Sequence, residues 1–260
     1  ALGVTFVFGI LRFANFAHGD LMAFGTMITI LLTWLLQSYG ISFGFLPTAL
    51  LALPFAIIIT IIFCLLVDRY VFRFYRLKKS PPVTLAMVSI GVMFVINAIV
   101  RIIIGPKDRR FFDGEKFIIK VKEFKNLTGL NEGLAIKSTQ VITVLTTLLL
   151  VAILFWFLQR TRTGKSMRAF SDNEDLALLS GIDPDRVVLF TWLIVAALAT
   201  TAGVLYGLDK SFKPFTYFSI LLPIFASAIV GGIGSPIGAV VGGYVIAFSE
   251  IMVTYAYKKF

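Results

Sequence analysis

Two long apolar runs, Leu46 to Val67 and Val187 to Leu208, constrain this chain more than any other feature. Each is long enough, at ~1.5 Å per helical residue, to cross ~30 Å of hydrocarbon. Hydrophobic residues make up 58% of the 260 and charged residues 15%. A soluble domain is closer to about half apolar and about a quarter charged. With a mean hydropathy of +0.92, the chain has too little polar surface to cover a water-soluble core. It reads as a polytopic membrane protein.

Further counts remove whole classes of chemistry. One cysteine, Cys64, permits no internal disulfide, and with one histidine, His18, it cannot build a thiolate metal site. A Ser-His-Asp or Cys-His catalytic group would have to use His18 itself. The net charge of +10 fits positive flanks facing lipid headgroups better than nucleic acid. Twenty-six Phe against three Trp fit lipid-facing bulk rather than a base-stacking surface.

Hydropathy divides the chain into about eight spanning pieces within one domain, residues 1–260. A stub, Ala1 to Leu11, begins inside an apolar run, so the first helix is expected to start upstream. A polar-spotted turn follows at Arg12 to Asp20. Spans are expected at Leu21–Gln37, Phe45–Val67, Val83–Ile104 and Ser138–Leu158, then in the run after Asp183, at Phe215–Val230 and at Ile237–Tyr257. The basic stretch Arg69 to Lys79 reads as a loop closed by Pro81 and Pro82, and Asp209 to Pro214 as a short loop. Residues 107–137 form a mixed-charge loop whose alternating Phe117 to Phe124 region suits a small hairpin. Residues 159–186 form a second charged segment.

Orientation follows from Lys and Arg in short loops. Arg69, Arg73, Arg76, Lys78 and Lys79 sit beside one acid, Asp68, and Arg160, Arg162, Lys165 and Arg168 cluster after the fifth span. Both segments are read as cytoplasmic. The loop 107–137 votes the other way, with eight basic residues against five acids, but its charges are diluted over 31 residues. It is read as external.

Four motifs carry the functional reading. Gly164-Lys165-Ser166 invites a phosphate loop, yet Gln159 stands where the leading glycine is required, and an apolar helix precedes it in place of a strand. Ser171-Asp-Asn-Glu174 has capping-box spacing, Asp172 and Asp175 suit a first helical turn, and Leu176, Leu178 and Leu179 form an apolar end stopped by Gly181. This predicts a short cytoplasmic helix, either folded back on the bundle or docking a soluble partner. Asp183-Pro184 reads as the cap and first residue of the next span.

Gly234, Gly238 and Gly242 recur every four residues behind a Ser235 cap and Pro236, and the spacing predicts three glycines on one packing face. Tight packing inside the bundle is the plain reading; a dimer seam and a gating turn are the others. Asn15 and His18 would share a helical face, and Asp20 would cap the second span. Polar groups within spans line cavities or pair across helices. A histidine beside a glycine also serves as a hydrogen-bonded break. Asn97, Arg101 and Glu250 are the remaining polar positions, and Arg101 can snorkel to the interface.

Four elements stand in order: Gly9-Ile-Leu-Arg-Phe-Ala-Asn-Phe-Ala-His-Gly-Asp20, Arg160 to Ala169, Leu176 to Asp183, and Gly231-Gly-Ile-Gly-Ser-Pro-Ile-Gly238. Together they closely resemble the membrane permease of branched-chain amino acid ABC importers, over essentially the whole chain. The resemblance implies a bacterial inner-membrane subunit without enzymatic activity or a cofactor of its own. It implies a second permease subunit, two cytoplasmic ATP-binding subunits carrying ATP and magnesium, and a periplasmic binding protein. The coupling helix would be Ser171, Glu174, Leu176, Leu178, Leu179, Gly181 and Ile182.

Asn15, His18 and Asn97 are candidates for the substrate pathway, with Thr84 and Ser89 nearly as defensible. Permeases for urea, short amides or other amino acids share these motifs. The rival class, a self-sufficient secondary carrier, would need mid-membrane acids, of which Glu250 is the chief one.

Overall fold

The structure, a computed structural model, describes residues 1–41, 46–111, 117–119 and 136–259. It is a helical bundle. Helix α1 spans Leu2–Leu11, α2 His18–Ser38, α3 Ala49–Val67, α4 Arg73–Leu77, α5 Pro82–Ile104, α6 Ser138–Arg160, α7 Arg162–Asp172, α8 Glu174–Leu179, α9 Pro184–Lys210, α10 Pro214–Val230 and α11 Pro236–Lys259. A single π turn, Asp68–Phe72, joins α3 to α4 without a break. Among the described residues, six helices are long and apolar enough to cross a membrane: α2, α3 with its extension to Leu77, α5, α6, α9 and α11. Two shorter apolar helices, α1 and α10, accompany them.

Helix ends follow local chemistry. Pro82 opens α5, and Gly105, at φ +83°, ends it. The Asp183 carboxylate accepts the Asp185 N–H at 3.0 Å, with Pro184 in the first helical position, as the sequence predicts. Ser235 caps α11 by accepting the Gly238 N–H at 3.1 Å.

Helices α2 and α9 form the buried centre, and α3, α5, α1 and α10 pack around them. The α2–α9 contact is backbone-close. A Cβ on Gly25 would overlap Thr200, and one on Gly203 would overlap Thr26 and the Met22 carbonyl. This is small-residue packing, in which dispersion contacts take over the role that water plays in driving soluble helices together. At the periphery, α6 exposes Val144, Leu145, Leu148, Leu149 and Trp156.

Two ends are distinct. At one, Arg76 donates to Asp68 from both terminal guanidinium nitrogens, the Trp192 Nε1–H donates to Asp68 at 2.8 Å, and Arg73 pairs with Asp185 at 3.2 Å. The two basic segments therefore share a side. At the other, Arg109 and Phe212 exchange backbone hydrogen bonds of 2.9 Å, Lys213 pairs with Asp108 at 2.9 Å, and Gln37 donates to the Phe111 carbonyl at 3.0 Å.

Several expectations need correction. The stretch 69–77 is helix, because the ladder continues through the π turn and does not stop at the first arginine. Asp20 is not a cap: α2 begins two residues earlier, at His18. Of the loop expected at Asp209 to Pro214, Asp209 and Lys210 belong to α9 and Pro214 opens α10. Phe117–Ile119 does pair antiparallel, but with Ile136–Lys137. Phe124, the other end of the expected hairpin, lies outside the described residues.

Candidate functional site

The chain reverses between α1 and α2, and local hydrogen bonds shape that reversal. Arg12, at φ +58°, ends α1 in the left-handed conformation, its N–H bonded to the Phe8 carbonyl. Asn15, buried, accepts the Ala17 N–H on its side-chain oxygen at 3.1 Å and the His18 N–H on its carbonyl at 3.4 Å. Such local bonds offer the backbone a turn in place of another helical residue. From α5, the Ser89 hydroxyl accepts the Phe16 N–H at 3.0 Å and lies 2.6 Å from its own helix's Ala86 carbonyl. The break is thus clasped from outside.

His18 then opens α2 with its ring against Gly3. Two residues further along α2, the Asn97 amide donates to Asp20 at 2.7 Å. Asn15 and His18 do not share a helical face, since Asn15 is not helical. Asn97 meets Asp20, not either of them. Asn15 Nδ2, His18 Nδ1 and Asp20 Oδ2 are buried without a hydrogen-bond partner among the described residues. This is a cluster of underused polar groups in an apolar bundle. Of the hydroxyl alternatives, Ser89 bonds the backbone of the break at Ala14 and Phe16, while Thr84 makes no contact with it among the bonds described. Glu250 lies exposed on α11.

The second constellation is the segment between α6 and α9. Thr161 caps α7 by accepting the Gly164 N–H at 3.0 Å, and α7 buries Gly164, Met167 and Phe170 at three-residue spacing. Ser171 is not a cap, and no Ser171–Glu174 box forms. Ser171 is still helical, so its hydroxyl is free to donate to the Gly9 carbonyl at 3.1 Å. The cap of α8 is Asn173, which accepts the Leu176 N–H at 3.0 Å. Glu174 is exposed in its first turn.

The helix ends as the sequence predicts. Gly181, at φ +80°, donates to Leu178, and Ile182 donates to Ala177, the paired bonds of a Schellman stop. Ala177 faces inward, and Ile182 packs on the core. Leu176, Leu178 and Leu179 point outward at 61%, 42% and 85% exposure.

These two constellations touch. The Arg12 guanidinium donates to the Ser171 carbonyl at 2.6 Å, and Ser171 reaches back to Gly9. The reversal and the segment between α6 and α9 are therefore bonded in both directions. Sequence reasoning missed Arg12 and Gly9 in this role, because their partner lies some 160 positions away along the chain.

The glycine motif divides. Gly234 lies in the turn before α11 at φ +87°, with open space where a side chain would go. It is not on the helical face. Gly238 and Gly242 are, and a Cβ on either would overlap Gly231 or the Ser227 carbonyl. Those two glycines seat α11 on α10. No group of three His, Cys, Asp or Glu suited to a metal ion occurs among the described residues.

Comparison with known proteins decides the family. Residues 1–259 match the family described as the branched-chain amino acid transport system permease component. The chain belongs to this permease family. It is 30% identical over 97% of its length to the high-affinity branched-chain amino acid transport permease LivH of Escherichia coli, covering 80% of that protein. Identity is 30% over 98% of the chain with the probable LivH of Methanocaldococcus jannaschii, covering 76% of it. It is 29% over 96% with the permease BraD of Pseudomonas aeruginosa, covering 79% of it. No solved structure matches. This member of the permease family is a multi-pass membrane protein and a transport component, not an enzyme.

Proposed function

We propose that this chain is the translocation subunit of an ATP-driven importer of branched-chain amino acids in the inner membrane, with α1 and α10 joining the six longer helices to make about eight spans. The observation that carries the reading is α8. A short helix held by Asn173 and by the Gly181 stop presents three leucines outward, and the segment that bears it is bonded to the reversal at Arg12. Exposed leucines on a rigid platform suit a groove on a soluble subunit.

In this reading two ATP-binding subunits carry ATP and magnesium, and none is held by this chain. Closure of that pair would push α8, and Ser171 would pass the displacement to Gly9, Arg12 and the cluster at Asn15, His18, Asp20 and Asn97. A second permease subunit would complete the path, and an external binding protein would deliver substrate.

The test is affinity purification of the tagged chain from solubilised membranes, followed by leucine uptake in liposomes. Two ATP-binding subunits and a second permease are expected, with uptake that requires ATP. In Leu178→Asp or Gly181→Pro, ATP hydrolysis should continue while uptake fails. Recovery of the chain alone, active without ATP, would refute the reading.

A further inference from the structure

At the basic end of the bundle a cavity of about 410 Å³ lies between α1, the end of α6, α7 and the turn into α11. Its wall is apolar: Phe6, Ile10, Leu158 and Met167, all buried. Its rim carries Lys165 and Arg168, one turn apart on the exposed side of α7. Neither forms an ion pair among the described residues. Asp172 is the one acid lining the cavity, so the rim stays cationic.

Helix α7 itself buries Gly164, Met167 and Phe170 and turns Arg162, Lys165 and Arg168 outward. A short amphipathic helix with a basic face, set between two spans at the cytoplasmic end, lies at headgroup level.

We infer that this cavity binds an anionic phospholipid, the phosphate against Lys165 and Arg168 and the upper acyl chain against Phe6, Ile10, Leu158 and Met167. Free phosphate would use the rim and leave the apolar wall in water. A neutral phospholipid would fill the wall without a net charge for the two cations to meet. Only an anionic lipid uses both.

The experiment measures lipid retained by the purified, delipidated full chain in detergent, by native mass spectrometry. Dioleoyl phosphatidylglycerol, dioleoyl phosphatidylcholine and inorganic phosphate are added in separate arms. Saturable retention of phosphatidylglycerol but not phosphatidylcholine is expected. K165Q/R168Q should weaken it about thirtyfold, since each cation near anionic headgroups contributes about 1 kcal/mol. K165R/R168K should keep it. Ala169→Trp, which fills the cavity without changing charge, should abolish it and decides the matter if the glutamine pair misfolds. Equal retention of both lipids, retention unchanged in Ala169→Trp, or inorganic phosphate binding alone and displacing the lipid would each overturn the inference.

Discussion

Arg76→Ala should be among the most damaging single changes at the basic end of the bundle. Asp68 sits at the junction of α3 and α4, and its carboxylate takes both guanidinium nitrogens of Arg76 and the indole N–H of Trp192. Side-chain exposure is 20% for Arg76 and 12% for Asp68. Removing one partner of a buried pair costs about 3–5 kcal/mol, because the other charge stays desolvated. The residual exposure lets water return in part, which points to the low end, about 3 kcal/mol. For a chain of this size that lowers the melting temperature by about 6–12 °C.

Trp192→Phe is the control. It keeps a ring against Phe72, whose centroid is 5.5 Å from that of Trp192, and deletes only the N–H. One bond to a charged group is worth about 1.5–3 kcal/mol. The expected loss is thus smaller, and Asp68 still has Arg76. Melting of purified protein in one detergent, followed by scanning fluorimetry, gives the order. If Arg76→Ala melts within about 2 °C of the parent, or Trp192→Phe costs more than Arg76→Ala, the ion pair is not what stabilises this end of the bundle.

Other changes follow from the packing. Gly203→Leu should drive a side chain into Thr26 and the Met22 carbonyl, and the yield of monodisperse protein should collapse, overpacking alone costing about 1–3 kcal/mol. Gly238→Ala meets the Gly231 backbone, whereas Gly234→Ala meets only its positive φ, a strain of about 1–2 kcal/mol. Thermal melts should therefore rank Gly238→Ala below Gly234→Ala. Leu179→Asp, at a side chain 85% exposed, should leave stability within about 0.5 kcal/mol while ATP-driven leucine uptake fails; normal uptake would count against docking through α8. Asn97→Ala removes the bond to Asp20 and should cost about 1–3 kcal/mol, read by the same melts.

What the sequence disclosed and what it hid divide along the range of the forces involved. Apolar run length gave the membrane, because nothing but burial or lipid accepts Leu46 to Val67. Asp183-Pro184 and Gly181 were legible because a cap or a stop is decided within a few residues. Ser171 was misread for the same reason. Its spacing to Glu174 fits a capping box, but Asn173 competes for the cap, and the Gly9 carbonyl offers Ser171 a bond that no local pattern reveals. Asp20 was misplaced because Asn15, two residues before Ala17, restarts the chain early. The most extensive helix contact, α2 with α9, went unnoticed although Gly203 and Gly207 have the same spacing as Gly238 and Gly242. Small residues declare that a close approach occurs, not which helix makes it. The bond from Arg12 to Ser171 depends on the whole bundle and was out of reach.

The π turn at Asp68–Phe72 carries an arithmetic of its own. In a regular helix, residues eight apart stand about 80° around the axis from one another, and residues seven apart within about 20°. Asp68 and Arg76 are eight apart, yet they face each other. The wide turn absorbs one residue, so eight positions subtend the angle of seven. Chain length is therefore negotiable by one at this point. Deleting a single residue from 69–71 would leave an ordinary α-helix with Asp68 and Arg76 still in phase, whereas the same deletion near Thr60 would rotate everything downstream away from α9.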